Sequence, residues 1–209
     1  MASRPTLDFW YDFASTYSYL SAMRIETLAQ AAGLDVRWRA FLLGPIFAAQ
    51  GWNASPFTLY PAKGRYMWRD MERLAAHQGL PFRRPNPFPQ QSLSAARLAL
   101  AGREEGWTPG FTRAVFAAEF GEGRLITDEA VLTGALRAAG ADAQAAFTAA
   151  RGEEVRGRLK AETELAKSLG IFGAPSFVTG DGEMFWGDDR LEAAIAWAKG
   201  DRDQGVASP

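Results

Sequence analysis

The stretch "DFASTYSYL", residues 12–20, sets a polar pair, Ser15 and Thr16, where a first strand should end and a first helix begin. On spacing alone, Ser15 or Thr16 reads as the helix N-cap. The chain has no cysteine, which excludes disulfides, thiolate metal sites and any thiol redox cycle of its own. The single histidine, His77, leaves few options for a zinc site or a histidine-dependent triad, and its place on the flank of an amphipathic helix reads as surface. A metal site built from carboxylates alone has no sequence support. Asp188 and Asp189 in "WGDDRL" precede an apolar helix, where capping and the helix dipole account for at least one of them. Lys63 in "PAKGRY" reads, by itself, as a solvated surface charge.

These residues need elements to position them. In "PTLDFWYDF", Leu7, Phe9 and Tyr11 alternate with Thr6, Asp8 and Trp10, the period of a two-faced strand. Leu20, Met23 and Leu28 then recur at helical spacing up to a Gly33 C-cap. "LDVRWRAFLL" alternates again, with Val36, Trp38 and Ala40 on one side. The first forty residues therefore predict one βαβ unit with a right-handed crossover.

From about Gly44 to Gly170 the pattern is helical. "KGRYMWRDMERLAAHQG" puts Met67, Met71 and Leu74 on one face. "SLSAARLALAGREEG", "TPGFTRAVFAAEFGEG" and "TDEAVLTGALRAAG" each open on Ser or Thr and close near Gly. "GEEVRGRLKAETELAKSLG" is charged on most faces and is expected to lie outside. The loops "GWNASPFTLYPAKG" and "PFRRPNPFPQQ" have no period and are long enough to suggest a functional role. At the end, "APSFVTGDGEMFWG" predicts a hairpin through Gly180-Asp181-Gly182, and "DRLEAAIAWAKG" a closing helix with Leu191, Ile195 and Trp197 available for the core. The order predicts an α/β chain with a thioredoxin-like fold and an all-helical domain inserted after the first βαβ unit. Residues 1–43 and 171–209 form the discontinuous thioredoxin-like domain, and residues 44–170 the insertion. A doubly wound nucleotide-binding fold would want more βα units and a glycine-rich first turn.

A chain of 209 residues, 47% hydrophobic, can bury one sizeable core. Its formal charge is −1, with mixed signs along the chain, so no electrostatic footprint for nucleic acid or an anionic membrane is present. No 18-residue apolar run appears and the first residues lack an apolar leader. A cytoplasmic protein with small-molecule partners is expected, with neither nucleic acid nor membrane as a partner.

Together, "DFASTYSYL", "GWNASP…PAKGRY", "IFGAPSFV" and "FWGDDRL" resemble the 2-hydroxychromene-2-carboxylate isomerases, relatives of kappa-class glutathione transferases within the DsbA-like thioredoxin superfamily. The resemblance runs from about Leu7 to Trp197. It implies glutathione as cofactor, with Ser15 standing where thioredoxin-like oxidoreductases carry a cysteine and holding the tripeptide's thiolate. A free thiol titrates near ~8.5, so lowering it by about two units needs roughly 2.7 kcal/mol. A hydroxyl donor, at ~1.5 to 3 kcal/mol, and a helix N-terminus, at up to ~2 kcal/mol, are sufficient.

The resemblance also implies that Ala174 and Pro175, with a cis bond between them, pair in β-fashion with the cysteinyl backbone. It places Asp189, aided by Asp188, on the γ-glutamyl ammonium. Asn53 and Lys63 are implied to contact glutathione or substrate, with Lys63 on a carboxylate and Tyr66 bordering the substrate. Thr16 replaces an expected proline, Asp188 a small polar residue and Gln91 an asparagine. The implied reaction interconverts 2-hydroxychromene-2-carboxylate and trans-o-hydroxybenzylidenepyruvate, or a close aromatic analogue, within aromatic hydrocarbon catabolism, and the implied assembly is a homodimer. Two alternatives stand beside it: a kappa-class-like transferase or peroxidase, and a non-catalytic thioredoxin-like binding module.

Overall fold

The computed structural model describes residues 4–201. Residues 1–3 and 202–209, which the sequence reading assigns to the outer unit, lie outside the described residues. Strand β1 (Thr6–Tyr11), helix α1 (Thr16–Ala32) and strand β2 (Asp35–Ala40) form the expected βαβ unit, with β1 and β2 parallel from Thr6↔Asp35 to Tyr11↔Ala40. Gly33 closes α1 in the left-handed region (φ 76°), a conformation that glycine adopts at no steric cost.

Eight helices follow: α2 (Leu43–Ala49), α3 (Pro56–Leu59), α4 (Pro61–His77), α5 (Leu93–Ala101), α6 (Thr108–Phe116), α7 (Glu129–Ala138), α8 (Ala143–Arg151) and α9 (Glu153–Ser168). A π-helical turn, Ala117–Gly121, extends α6. The chain returns through β3 (Ser176–Thr179) and β4 (Met184–Trp186), and a 3₁₀ turn (Asp188–Arg190) enters α10 (Leu191–Lys199). The sheet order is β2-β1-β3-β4. This is a thioredoxin-like fold with helices inserted between its halves.

The two faces of β1 go to two clusters. Leu7, Phe9 and Tyr11 enter the main core, which the sheet shares with helices α4 to α9, whereas Trp10 joins a smaller cluster with Phe41, Ile46 and Ile171. Phe9 stacks on Phe177 at 5.6 Å and meets Trp38 edge-on at 5.1 Å. Losing such a buried ring costs about 3–5 kcal/mol.

Several elements depart from the sequence pattern. The "GWNASPFTLYPAKG" segment is not one loop: α3 is a single turn started by Ser55, and α4 begins at Pro61, where a proline at the first helical position is tolerated. Helix α8 has no large-residue period to announce it, and buries only Ala146 and Ala150. Asp128, rather than Thr127, caps α7. Helix α9 is not simply external: Val155, Leu159, Glu162, Thr163 and Ala166 are buried, and Glu162 pairs with Arg39 at 2.8 Å and Arg103 at 2.9 Å. Trp197 is only partly buried: its ring lies 6.0 Å from that of Phe185 and its indole N–H donates to Asp181 at 3.1 Å.

Candidate active site at the start of α1

Antiparallel pairing sets Trp10 of β1 opposite Ser176 of β3. The residues that leave β1 and those that enter β3 therefore meet at one end of the two central strands. Ser15 lies there as the N-cap of α1, and its Oγ accepts from the Ser18 N–H at 3.3 Å and donates to the Ala174 carbonyl at 2.9 Å. The Ala174–Pro175 bond is cis. Pro175 accepts from the Gly187 N–H at 3.0 Å, which ties the turn to the end of β4. Thr16 is the first helical residue and is buried, so the turn keeps its cap without a proline.

Asp12 braces the turn, and sequence reading missed it. Its Oδ1 accepts from the Ala14 N–H at 3.0 Å and its Oδ2 from the Leu43 N–H at 2.7 Å. One carboxyl thus joins the Ser15 turn to the first residue of α2. Burial raises the Asp12 pKa, while bonds from Leu43, Ser92 and Ala14 act in the opposite sense. The available signal was an Asp that closes back on the N–H two residues ahead, an Asx-turn. Glu119 lies within electrostatic reach of Asp12, fully buried on the π-helical turn, with no hydrogen-bond partner at either carboxyl oxygen. Burial first, and Asp12 second, push its pKa well above the ordinary carboxyl value.

Ser15 opens into a cleft of about 1190 Å³ between the sheet edge and α4. One stripe of α4 faces it: Lys63, Tyr66, Asp70, Leu74 and His77, spaced by three or four residues as one helix face requires. His77 is therefore on the cleft rim, not merely on the surface. Lys63 is exposed, its ammonium 5.1 Å from the Tyr60 ring centroid. Tyr66 is also exposed, with Arg73 over its ring. Aromatic walls that the sequence reading did not assign are Phe47 with Trp52, at 5.8 Å, and Phe172 with Trp186, at 4.9 Å.

The two aspartates separate. Asp188 is buried and accepts from Ser21 Oγ at 2.7 Å and from Arg24 at 3.1 Å, while its carbonyl accepts from the same guanidinium at 2.7 Å. Burial raises its pKa, and Ser21 and Arg24 pull it back. Asp188 is thus occupied in holding the 3₁₀ turn onto α1. Both aspartates line the cleft, but Asp189 is exposed there, with Arg190 at 3.3 Å.

Asn53 is exposed and does not line the cleft, so the structure does not bring it to Ser15. Gln91 is likewise exposed and off the cleft. Its neighbour Gln90 is buried, bonding the Arg124 carbonyl and the Ile126 N–H. Among the described residues, no group of three or more His, Asp or Glu side chains is placed to hold a metal ion, and no helix is long and apolar enough to cross a membrane.

A thioredoxin-type sheet, a cis-proline turn and a hydroxyl at the first helix start define a DsbA-like thioredoxin domain. The model of that family, described as the DSBA-like thioredoxin domain, matches residues 6–195. A 2-hydroxychromene-2-carboxylate isomerase from Sphingobium xenophagum is 30% identical over 90% of this chain and 94% of its own. Human glutathione S-transferase kappa 1 is 28% identical over 98% of this chain and 95% of its own. A solved 2-hydroxychromene-2-carboxylate isomerase superposes with a TM-score of 0.82 at 29% identity, covering 96% of this chain and all of that one. The chain belongs to the DsbA-like thioredoxin family, in its 2-hydroxychromene-2-carboxylate isomerase branch, an enzyme family of isomerases.

Proposed function

We propose that the protein is a glutathione-dependent isomerase interconverting 2-hydroxychromene-2-carboxylate and trans-o-hydroxybenzylidenepyruvate, or a close aromatic analogue. The observation that carries this reading is the Ser15 hydroxyl at the N-terminus of α1, 2.9 Å from the Ala174 carbonyl, at the base of an aromatic-walled cleft. The residues present fit glutathione. The cleft offers a hydroxyl donor for sulfur, a backbone carbonyl for a peptide N–H, an exposed carboxylate at Asp189 for an ammonium and a cation at Lys63 for a carboxylate. Ligand pockets commonly run ~300–1,000 Å³, so this cleft has room for a tripeptide and a bicyclic acid together.

Bound glutathione would supply the thiolate that adds to the conjugated ring carbon and leaves after bond rotation, replacing one slow step by two easier ones. Ser15 turns its proton from Ala174 to the sulfur, and the α1 dipole favours the negative charge. Ala174 and Pro175 align the tripeptide backbone, and Asp189 takes its ammonium. Lys63 holds the substrate carboxylate and stabilises charge developing on the α-keto acid. Tyr66 borders the ring. Asp188, on the cleft wall but bonded to Arg24 and Ser21, holds the turn that carries Asp189. The reading carries with it a cytoplasmic location, a role in aromatic hydrocarbon catabolism and a homodimeric assembly.

The test is turnover of the chromene with and without glutathione, together with glutathione titration. Saturable binding and loss of turnover on omitting glutathione are expected. Undiminished turnover without it would remove the cofactor from the reaction. The similarity to kappa-class transferase over nearly the whole chain supports a second reading, a transferase or peroxidase using the same sulfur site. Conjugation of a generic electrophile with no action on the chromene would select that one.

A further inference from the structure

The cleft wall next to Ser15 carries a hydrogen-bonded pair that the reaction above does not use. Tyr17, two residues beyond Ser15 in the first turn of α1, donates its phenolic proton to Asp70 Oδ2 at 3.0 Å. Asp70 Oδ1 accepts from Arg73 at 2.9 Å. Tyr17 and Asp70 both line the cleft. A tyrosine hydroxyl has one proton and two lone pairs. With that proton committed to Asp70, what Tyr17 presents to a ligand is an acceptor. Burial and the neighbouring carboxylate both raise the Tyr17 pKa, so the hydroxyl remains protonated at neutral pH and the direction of the bond is fixed.

The same α4 stripe carries Lys63, seven residues before Asp70 and therefore ~10 Å along the helix axis. The wall thus pairs an acceptor with a cation about two helical turns away. Its complement is a planar molecule with a hydrogen-bond donor at one end and an anion at the other. A phenol conjugated to an α-keto acid has that pattern. In the ring-closed chromene the corresponding oxygen is an ether and has no proton to give.

We propose that Tyr17, held by Asp70, binds the phenolic hydroxyl of the ring-opened substrate and makes the enzyme selective for hydroxylated aryl keto acids. This deepens the isomerase reading and rests on it. The polar N–H groups of glutathione are the other chemistry an acceptor could meet, so the experiment separates the two sources.

The measurement is equilibrium binding of trans-o-hydroxybenzylidenepyruvate and of trans-benzylidenepyruvate, which lacks the hydroxyl, read by quenching of the cleft tryptophans Trp52 and Trp186. Glutathione binding is measured in parallel by calorimetry. The wild-type protein should prefer the hydroxylated acid by several-fold, up to about tenfold, the range of a neutral hydrogen bond at a half-buried hydroxyl. Tyr17→Phe should abolish the preference, weakening only the hydroxylated ligand and leaving glutathione binding unchanged. Asp70→Asn, which keeps the shape and removes the charge, should reduce the preference in the same direction. Equal binding of the two acids by the wild-type protein overturns the proposal, even if isomerisation proceeds. A Tyr17→Phe change that weakens glutathione and spares the acids also overturns it, assigning the acceptor to the tripeptide. Retained phenol selectivity with no glutathione-dependent turnover would instead overturn the isomerase reading and leave the Tyr17 assignment standing.

Discussion

The Ser15 hydroxyl donates to the Ala174 carbonyl at 2.9 Å, joining two ends of the chain 159 positions apart. The same oxygen caps α1 through Ser18, so the observed structural role and the proposed chemical one fall on one atom. Ser15→Ala removes both. Loss of an N-cap costs about 1 kcal/mol, and loss of a hydrogen bond to a charged sulfur about 1.5–3 kcal/mol. Denaturant unfolding should therefore show a small drop in stability, while turnover falls roughly 10- to 100-fold. Unchanged turnover would take Ser15 out of the reaction.

Arg24 is the counter-ion of buried Asp188, and it also pairs with Glu192. Removing one partner of a buried pair leaves a charge without compensation, at a cost of about 3 kcal/mol or more for fully buried pairs. Arg24 is partly exposed, so Arg24→Ala should destabilise by about 2 kcal/mol. Adding Asp188→Asn should recover part of that loss. Chemical denaturation of the single and double variants measures the coupling, and strict additivity would mean that the pair contributes nothing.

The frame of this site was legible in the sequence because it depends on local periods. Alternation fixes which face of β1 carries Leu7, Phe9 and Tyr11, and a serine before an apolar helix marks its start. The cis-proline turn and the sulfur role proposed for Ser15 came from family motifs, since an X-Pro pair by itself says nothing of its isomer. What stayed hidden depends on tertiary placement. Asp188 and Asp189 are adjacent and chemically identical, and both line the cleft, yet the packing of Arg24 and Ser21 makes one a buried brace and leaves the other exposed. Asn53 sits beside cleft residues Trp52 and Ser55 in sequence, yet it is exposed and off the cleft. Tyr17 and Asp70 are 53 positions apart, and no local pattern pairs them. Glu119 reads as an ordinary helix-surface glutamate until the π-helical turn puts it inside.

Glu119 makes stability depend on pH. Burial and the Asp12 charge raise its folded pKa well above the ordinary carboxyl value, so from that ordinary value upward the folded state retains a proton that the unfolded state has released. Stability should then fall as pH rises through this window, because the unfolded chain binds fewer protons than the native one. Glu119→Gln, neutral at every pH, should remove this component and raise stability at neutral pH relative to the wild type. Unfolding free energies across acid to neutral pH test it, and an unchanged slope in the variant would assign the dependence to another group.

Gly173 is the last residue before the Ala174–Pro175 turn, and a Cβ built on it would come within 2.5 Å of Trp186 Nε1. Trp186 is half exposed and meets Phe172 at a tilt on the cleft wall, so its indole has room to swing. Gly173 is itself buried, but the group its Cβ would meet is the half-exposed Trp186 indole, so Gly173→Ala should leave global stability within about 1 kcal/mol. The displaced indole would lose its contact with Phe172 and alter the wall beside Ala174, where the tripeptide backbone is proposed to align. Glutathione affinity should drop roughly tenfold with a shift in tryptophan emission, an effect of about 1.4 kcal/mol. A large loss of stability would instead show that Trp186 is fixed in place, and unchanged affinity with altered emission would show that the tripeptide does not reach this wall.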